Sequence, residues 1–285
     1  MFGFLNIYKP EGLTSHDVVA KLRRVTKIKQ IGHTGTLDPF AEGVLPVCIG
    51  KSTRLIEYLE DDKEYLASVQ FGKNTDTYDV EGQITAEFDK KVTRDEVFEA
   101  LKIFEGEILQ YPPAFSAIKV KGKKLYEYAR QGQKVEIQPR KVFIEKIELK
   151  TFDEQNQSAK ILVKCSKGTY IRSIAYDLGQ KLNCGGYLTN LVRTRAGKFK
   201  VENSVPLDYF DSVEKAGEKL INPLDVLNLP VLEINDFEHK KVIQGQFFEN
   251  SSVQNNHFLI LIYNNKIDAV AFVDDGKIKV KKVFV

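Results

Sequence analysis

Between Gly32 and Gly43 the chain reads GHTGTLDPFAEG, a loop that packs glycines, a proline, a histidine and two acids into one short stretch. Asp38 is its chemically pointed residue. Pro39 fixes the chain after the acid, while Gly32, Gly35 and Gly43 give the loop freedom and let backbone come close to a ligand. Two readings fit: an Asx-type turn before proline, or a carboxylate held out to a substrate. Glu42 reads as scaffold.

Competing chemistries lack their parts. IGKSTR (Ile49 to Arg54) ends like a phosphate-binding loop, yet the glycine required five residues before Gly50 is replaced by Leu45. No Gly-x-Gly-x-x-Gly, Gly-x-Ser-x-Gly or His-Glu-x-x-His occurs, which argues against dinucleotide, serine-hydrolase and zinc-protease chemistry. The histidines (His16, His33, His239, His257) show no metal-ligand spacing, and Cys48, Cys165 and Cys184 are scattered without a Cys-x-x-Cys pair. No metal site and no disulfide frame is expected, and a reducing cytoplasm is the expected location. No run reaches the roughly 18 apolar residues that span a bilayer, and the first residues lack the pattern of a signal peptide.

The elements that must position the loop can be read from periodicity. FLNIY is a strand, and Thr14 or Ser15 caps a helix with Val18, Val19, Leu22 and Val25 on one face. VLPVCIG is an apolar strand and STRLIEYLE a short helix. YLASVQF alternates, with Tyr65 starting a strand that turns Tyr65, Ala67, Val69 and Phe71 to one side. Thr93 and Glu96 form a capping box. VFIEKIELK, AKILVKCS and YLTNLVRTRAGKFK are strands, TYIRSIAYDLGQKL an amphipathic helix, and the broken basic segment from Tyr111 holds at most a short helix at Leu125 to Arg130. Prolines near Ile221 to Pro230 mark a boundary before HFLILIY, KIDAVAFV and KIKVKKVFV, strands joined by NN and DDG turns. The expected fold is α+β, a mixed, largely antiparallel sheet flanked by helices, followed by a small C-terminal β-barrel. The net charge of +3 is small, but four basic runs, at Lys21 to Lys29, Lys119 to Arg130, Arg193 to Lys200 and Gly276 to Lys282, suggest a face for nucleic acid.

GHTGTLDPFAEGVLPVCIGKSTRL closely resembles the catalytic motif of the TruB family of tRNA pseudouridine synthases. The likeness continues in order through YKPEGLTSHDVV, KEYLASVQFGKNTDTYDVEG, PPAFSAIKVKGKKLYEYAR and KGTYIRSIAYDLG. The resemblance implies a catalytic domain over residues 1–225 with an RNA-gripping insertion at about 111–141, and a PUA-like RNA-binding domain over 226–285. It implies isomerisation of uridine to pseudouridine at position 55 in the T loop of tRNA, on a flipped-out base and with no cofactor. Asp38 matches the nucleophile, Arg172 the arginine that pairs with it, and Tyr65 the active-site tyrosine that stacks on the base. Tyr170 and Leu191 match pocket residues, and Asp79 and Lys9 match substrate-binding positions. His33 matches the residue that fills the space left by the extruded base.

Val192 stands where many family members have an arginine, which puts a phosphate or base contact in question. The implied partner is the T stem-loop of tRNA, with no membrane, no obligatory protein partner and a monomeric state expected. Two alternatives are a guide-RNA-dependent, dyskerin-like pseudouridine synthase, which would lack the insertion, and a tRNA-binding or tRNA-folding protein that acts without chemistry.

Overall fold

The computed structural model describes residues 1–133, 135–250 and 253–285; Lys134, within the expected insertion, lies outside them. β1 (Gly3–Lys9) leads into α1 (Ser15–Thr26), which Thr14 caps in a reciprocal box with Asp17. β2 (Ile31–His33) and β3 (Glu42–Ile49) enclose the Asp38 loop, and a 3-10 helix (Gly50–Tyr58) leads to β4 (Lys63–Phe71). β4 thus begins before Tyr65, at a buried lysine, and its alternate residues are buried as the period-two pattern requires. β5 (Lys73–Thr75) and β6 (Ile84–Glu87) form a side hairpin. α2 (Arg94–Leu101) carries the Thr93–Glu96 capping box, and β7 (Gly106–Gln110) precedes the insertion. Within the insertion β8 (Lys119–Val120) and β9 (Lys123–Lys124) pair, and α3 (Leu125–Arg130) follows. β10 (Arg140–Asp153), β11 (Ser158–Cys165), α4 (Ile171–Lys181) and β12 (Gly186–Ala196) complete the body.

The main path of the large sheet runs Val205–Pro206, β1, β3, β12, β4, β11, β10, β7. Neighbours are antiparallel except where β3 meets β12 and β1 meets Val205–Pro206. One register row decides the site: Lys9 stands opposite Gly43, Gly43 opposite Arg193, Arg193 opposite Tyr65, and Tyr65 opposite Val163. Residues paired across strands share a face, so the row sends Lys9, Arg193 and Tyr65 to the same side.

Both faces of the sheet are covered. Leu5, Ile7, Leu45, Val47 and Ile49 join α1 and α4 in one core, whereas Phe4, Val44 and Cys48 pack on the opposite face with Ile260, Val270 and Phe284. That is why the sequence of β3 is continuously apolar and does not alternate. The opposite cover is a second sheet of strands Val231–Glu233, His257–Tyr263, Lys266–Asp274, Lys277–Val283 and Phe248–Glu249, in that order. Its turns fall at Asn264–Asn265 (φ 48° and 59°) and Asp275–Gly276 (φ 49° and 69°), the left-handed pair expected of tight hairpins. No helix among the described residues is long and apolar enough to cross a membrane.

The loop glycines are not equivalent. Gly43 adopts φ +103°, and a Cβ there would lie 2.4 Å from the Arg193 carbonyl oxygen, whereas a Cβ on Gly32 would meet nothing nearer than 3.9 Å. Gly43→Ala should therefore cost about 2 kcal/mol or more, through overpacking and a backbone that disfavours side chains. Gly32→Ala should leave the urea midpoint unchanged. Equal effects in denaturation would contradict the close β3–β12 approach.

Candidate active site

Two buried cations fix the Asp38 loop from beneath. Arg193 is 1% exposed, and its guanidinium donates to the carbonyls of Val44 (2.7 Å), Gly35 (3.0 Å) and Thr36 (3.4 Å). One side chain from β12 therefore ties the loop ahead of Asp38 to the strand behind it. Lys9, fully buried, donates from Nζ to the carbonyls of Pro10 (2.8 Å), Leu13 (2.6 Å) and Pro39 (3.2 Å), joining the loop to the turn after β1. Burial pushes its ammonium down to about 8, with Asp38 pulling the other way. Ser15 adds a third tie, donating to the Leu37 carbonyl and accepting from the Leu37 amide. Lys9 thus serves the loop from inside and does not line the cavity above it.

Held this way, Asp38 projects toward α4. Arg172, near the helix start, places Nη2 at 3.2 Å from one carboxylate oxygen as a hydrogen bond and Nε at 2.9 Å from the other as an ion pair lacking hydrogen-bond alignment. A cation in the first helical turn opposes the helix dipole, so its placement needs an anionic partner. Arg172 has two: Nη1 also sits 3.2 Å from Asp79, and the remaining donors reach the Thr77 and Phe115 carbonyls. The two acids differ in access, with 34% of the Asp38 side chain exposed against 4% for Asp79. Asp79 accepts from the Thr77 hydroxyl and the Glu81 amide, while burial raises its pKa. Asp38 is the carboxylate left open to the cavity.

Above it lies a cavity of about 660 Å³, within the usual range for a small-molecule site. Asp38, Tyr65, Asp79, Tyr170, Arg172 and Leu191 all line it, drawn from segments far apart in sequence. Leu191 shares a face of β12 with Arg193 and lies beside β4, so its alternation points it at the site. Burial raises the pKa of Tyr65, keeping the phenol protonated at neutral pH and leaving its ring as the useful surface. Tyr126 and Arg130 bring α3 of the insertion to the rim.

His33 is not on this wall. It ends β2 opposite Val47, with Nδ1 buried and without a hydrogen-bond partner among the described residues, and burial, followed by Arg193 and His16, lowers its pKa. Glu42 opens β3 and accepts from the Tyr8 hydroxyl, in keeping with scaffold. Val192 lies on the face of β12 away from Leu191 and Arg193, so the missing arginine falls outside the cavity wall.

Sequence reasoning missed the supports. Gln110, 2% exposed, donates to the Tyr170 carbonyl and accepts from its amide, clamping the start of α4 in place of a side-chain cap. No sequence signal marks it. Arg193 did carry one: an arginine two positions from an inward leucine on an alternating strand must itself turn inward. Arg193→Met should leave three buried carbonyls without donors and lower stability by about 3–5 kcal/mol, measured as the urea-unfolding free energy. A loss below about 1 kcal/mol would show that the loop does not depend on this clamp.

The N-terminal domain of TruB family pseudouridylate synthases matches residues 23–171, and the tRNA pseudouridylate synthase B C-terminal domain matches residues 172–228. The chain is 42% identical to the tRNA pseudouridine synthase B of Caldanaerobacter subterraneus, with 99% of each chain covered. It is 45% identical to that of Heliobacterium mobile over 94% of this chain and 89% of the relative. Among solved structures it resembles a chain of an H/ACA RNP bound to a substrate RNA containing 2'-deoxyuridine, with a TM-score of 0.72, 26% identity, and coverage of 100% of this chain and 85% of that one. With matched family domains spanning both Asp38 and Arg172, and full-length relatives above 40% identity, the chain belongs to the TruB family of tRNA pseudouridine synthases.

Proposed function

We propose that the chain isomerises the uridine at position 55 in the T loop of tRNA, with Asp38 as the nucleophile. The observation that carries this reading is Asp38 itself, partly exposed at a nucleoside-sized cavity and gripped through both carboxylate oxygens by the buried Arg172. Breaking the bond between ribose C1' and uracil N1 leaves positive character on the sugar. Asp38 answers it either by bonding to C1' or by taking a proton from C2' to give a glycal. The base turns and rejoins C1' through C5 as Asp38 leaves C1' or returns the proton to C2', and the C5 proton passes to solvent while N1 takes one up. Retaining glycosidases need a second carboxyl to steer water, whereas here water would leave an abasic site. In this reading Arg172 both aims Asp38 and occupies Asp79, the nearest alternative acid.

Extruding the uridine costs a few kcal/mol, offset by stacking on Tyr65 and contact with Tyr170 and Leu191. His33, which ends β2 and does not line the cavity in the free protein, reaches the vacated stack in this reading only when the RNA is seated. The insertion favours an enzyme that grips the T arm itself over one that depends on a guide RNA, because α3 already reaches the rim of the site. Residues 226–285 act in this reading as a PUA-like RNA-binding unit on a monomer.

Tritium release from a T-arm hairpin labelled at uridine C5 tests the chemistry. Asp38→Asn should slow it by about three orders of magnitude, near 4 kcal/mol of barrier, with hairpin affinity retained; release at the parent rate removes Asp38 from the mechanism. Hairpin affinity should also fall about tenfold or more between roughly 50 and 200 mM salt as phosphate counter-ions are displaced. A flat response would mean that the basic runs do not meet the backbone.

A further inference from the structure

Lys63 begins β4, and alternation turns its side chain to the same face as Tyr65; both line the cavity. The residue is only 8% exposed, and among the described residues its Nζ makes one hydrogen bond, to the Asp61 carbonyl at 2.8 Å. An ammonium has three donors, so the rest are uncommitted. The adjacent acids are already paired, Asp61 with Lys167 and Asp62 with Arg195. The neighbouring buried cation is Arg193, whose hydrogen bonds end on backbone carbonyls. Among the described residues neither Lys63 nor Arg193 forms a salt bridge, although acids elsewhere around the cavity do. Burial, and next the charge of Arg193, push the Lys63 ammonium down to about 8 against the pull of Asp61, Asp62 and Cys165.

Two desolvated cations side by side, neither of them in a salt bridge, leave a local excess of positive charge, which an incoming anion relieves. Neutral uracil and its ribose supply no anion. The phosphodiester groups on either side of the nucleoside do. We propose that Lys63 receives, inside the cavity, a phosphodiester group flanking the uridine bound at Asp38. This rests on the uridine reading above and deepens it: the site takes a nucleotide within a strand, recognised by backbone charge, and Lys63 sets where the sugar lies relative to the carboxylate. Charge-assisted N–H to phosphate bonds are the strong kind, which suits a contact that must hold an extruded nucleotide.

The test pairs enzyme and substrate changes. Hairpins carry a neutral methylphosphonate at the linkage 5' or 3' of the target uridine, and tritium release is measured with the parent and with Lys63→Met. For the parent, one of the two linkages should raise KM about tenfold, with the saturated single-turnover rate changed less than about threefold. Lys63→Met should show a similar KM rise on the all-phosphate hairpin and no further rise with that methylphosphonate, and Lys63→Arg should recover most of the loss. A purely structural lysine would not answer to the charge of one RNA linkage. The proposal is overturned if Lys63→Met suffers the same methylphosphonate penalty as the parent. Should the variant fail to fold, parental indifference to both neutral linkages overturns it equally. No release by the parent from the all-phosphate hairpin would instead bring down the uridine reading itself.

Discussion

A guanidinium sealed inside the sheet governs this molecule. Arg193 could not be buried at 1% exposure unless its donors found acceptors, and those it finds are carbonyls of the segment that leads to Asp38 and of the strand that follows. A loop rich in glycine has much conformational entropy to lose. Here the loss is offset by bonds that exist only in one loop shape. Gly43 is the matching requirement on the other side, since a side chain there would separate β3 from β12 and lift Arg193 away from its acceptors.

The two arginines divide the work by partner type. Arg193 faces backbone and sets where the loop runs, whereas Arg172 faces carboxylates and sets how Asp38 is aimed. Neither task passes to lysine without loss, because each uses the planar fork to meet several acceptors at once. Lysine suits the positions where a single charged point is wanted, as Lys9 shows beneath Pro39. Asp79, with almost no exposure, completes the aim of Arg172 and leaves Asp38 as the acid with room for a reacting atom.

Much of this was legible in the chain because its signals are local. The cap at Thr14, the capping box at Thr93, the alternation within β4, the Leu125–Arg130 helix and the Asn264–Asn265 turn are each contained within a few residues and were readable from them, although β4 itself starts two residues earlier than its pattern suggested. The family motifs pointed to Asp38, Tyr65, Tyr170, Arg172 and Leu191, and the fold brings all of them to one cavity. What the chain concealed is register. Nothing near Lys9 says that it will lie in a row with Arg193 and Tyr65, or that its ammonium will turn under Pro39 instead of toward a substrate. The roles of Gln110 and the Phe115 carbonyl depend likewise on pairings made across the sheet. His33, which looks from its loop like a neighbour of Asp38, is drawn off the cavity wall by the short ladder between β2 and β3.

The placement of β12 between β3 and β4 also imposes an order in time. Gly35 and Thr36 wait for a side chain that lies 158 and 157 residues further along, and the outer partner of β1, Val205–Pro206, comes later still. Contacts of such long range form slowly and only once both ends are present. A nascent chain that has left the ribosome as far as α3 would carry Asp38 on a loop with no shape. The enzyme is therefore silent through most of its own synthesis and becomes competent only when β12 is laid into the middle of the sheet.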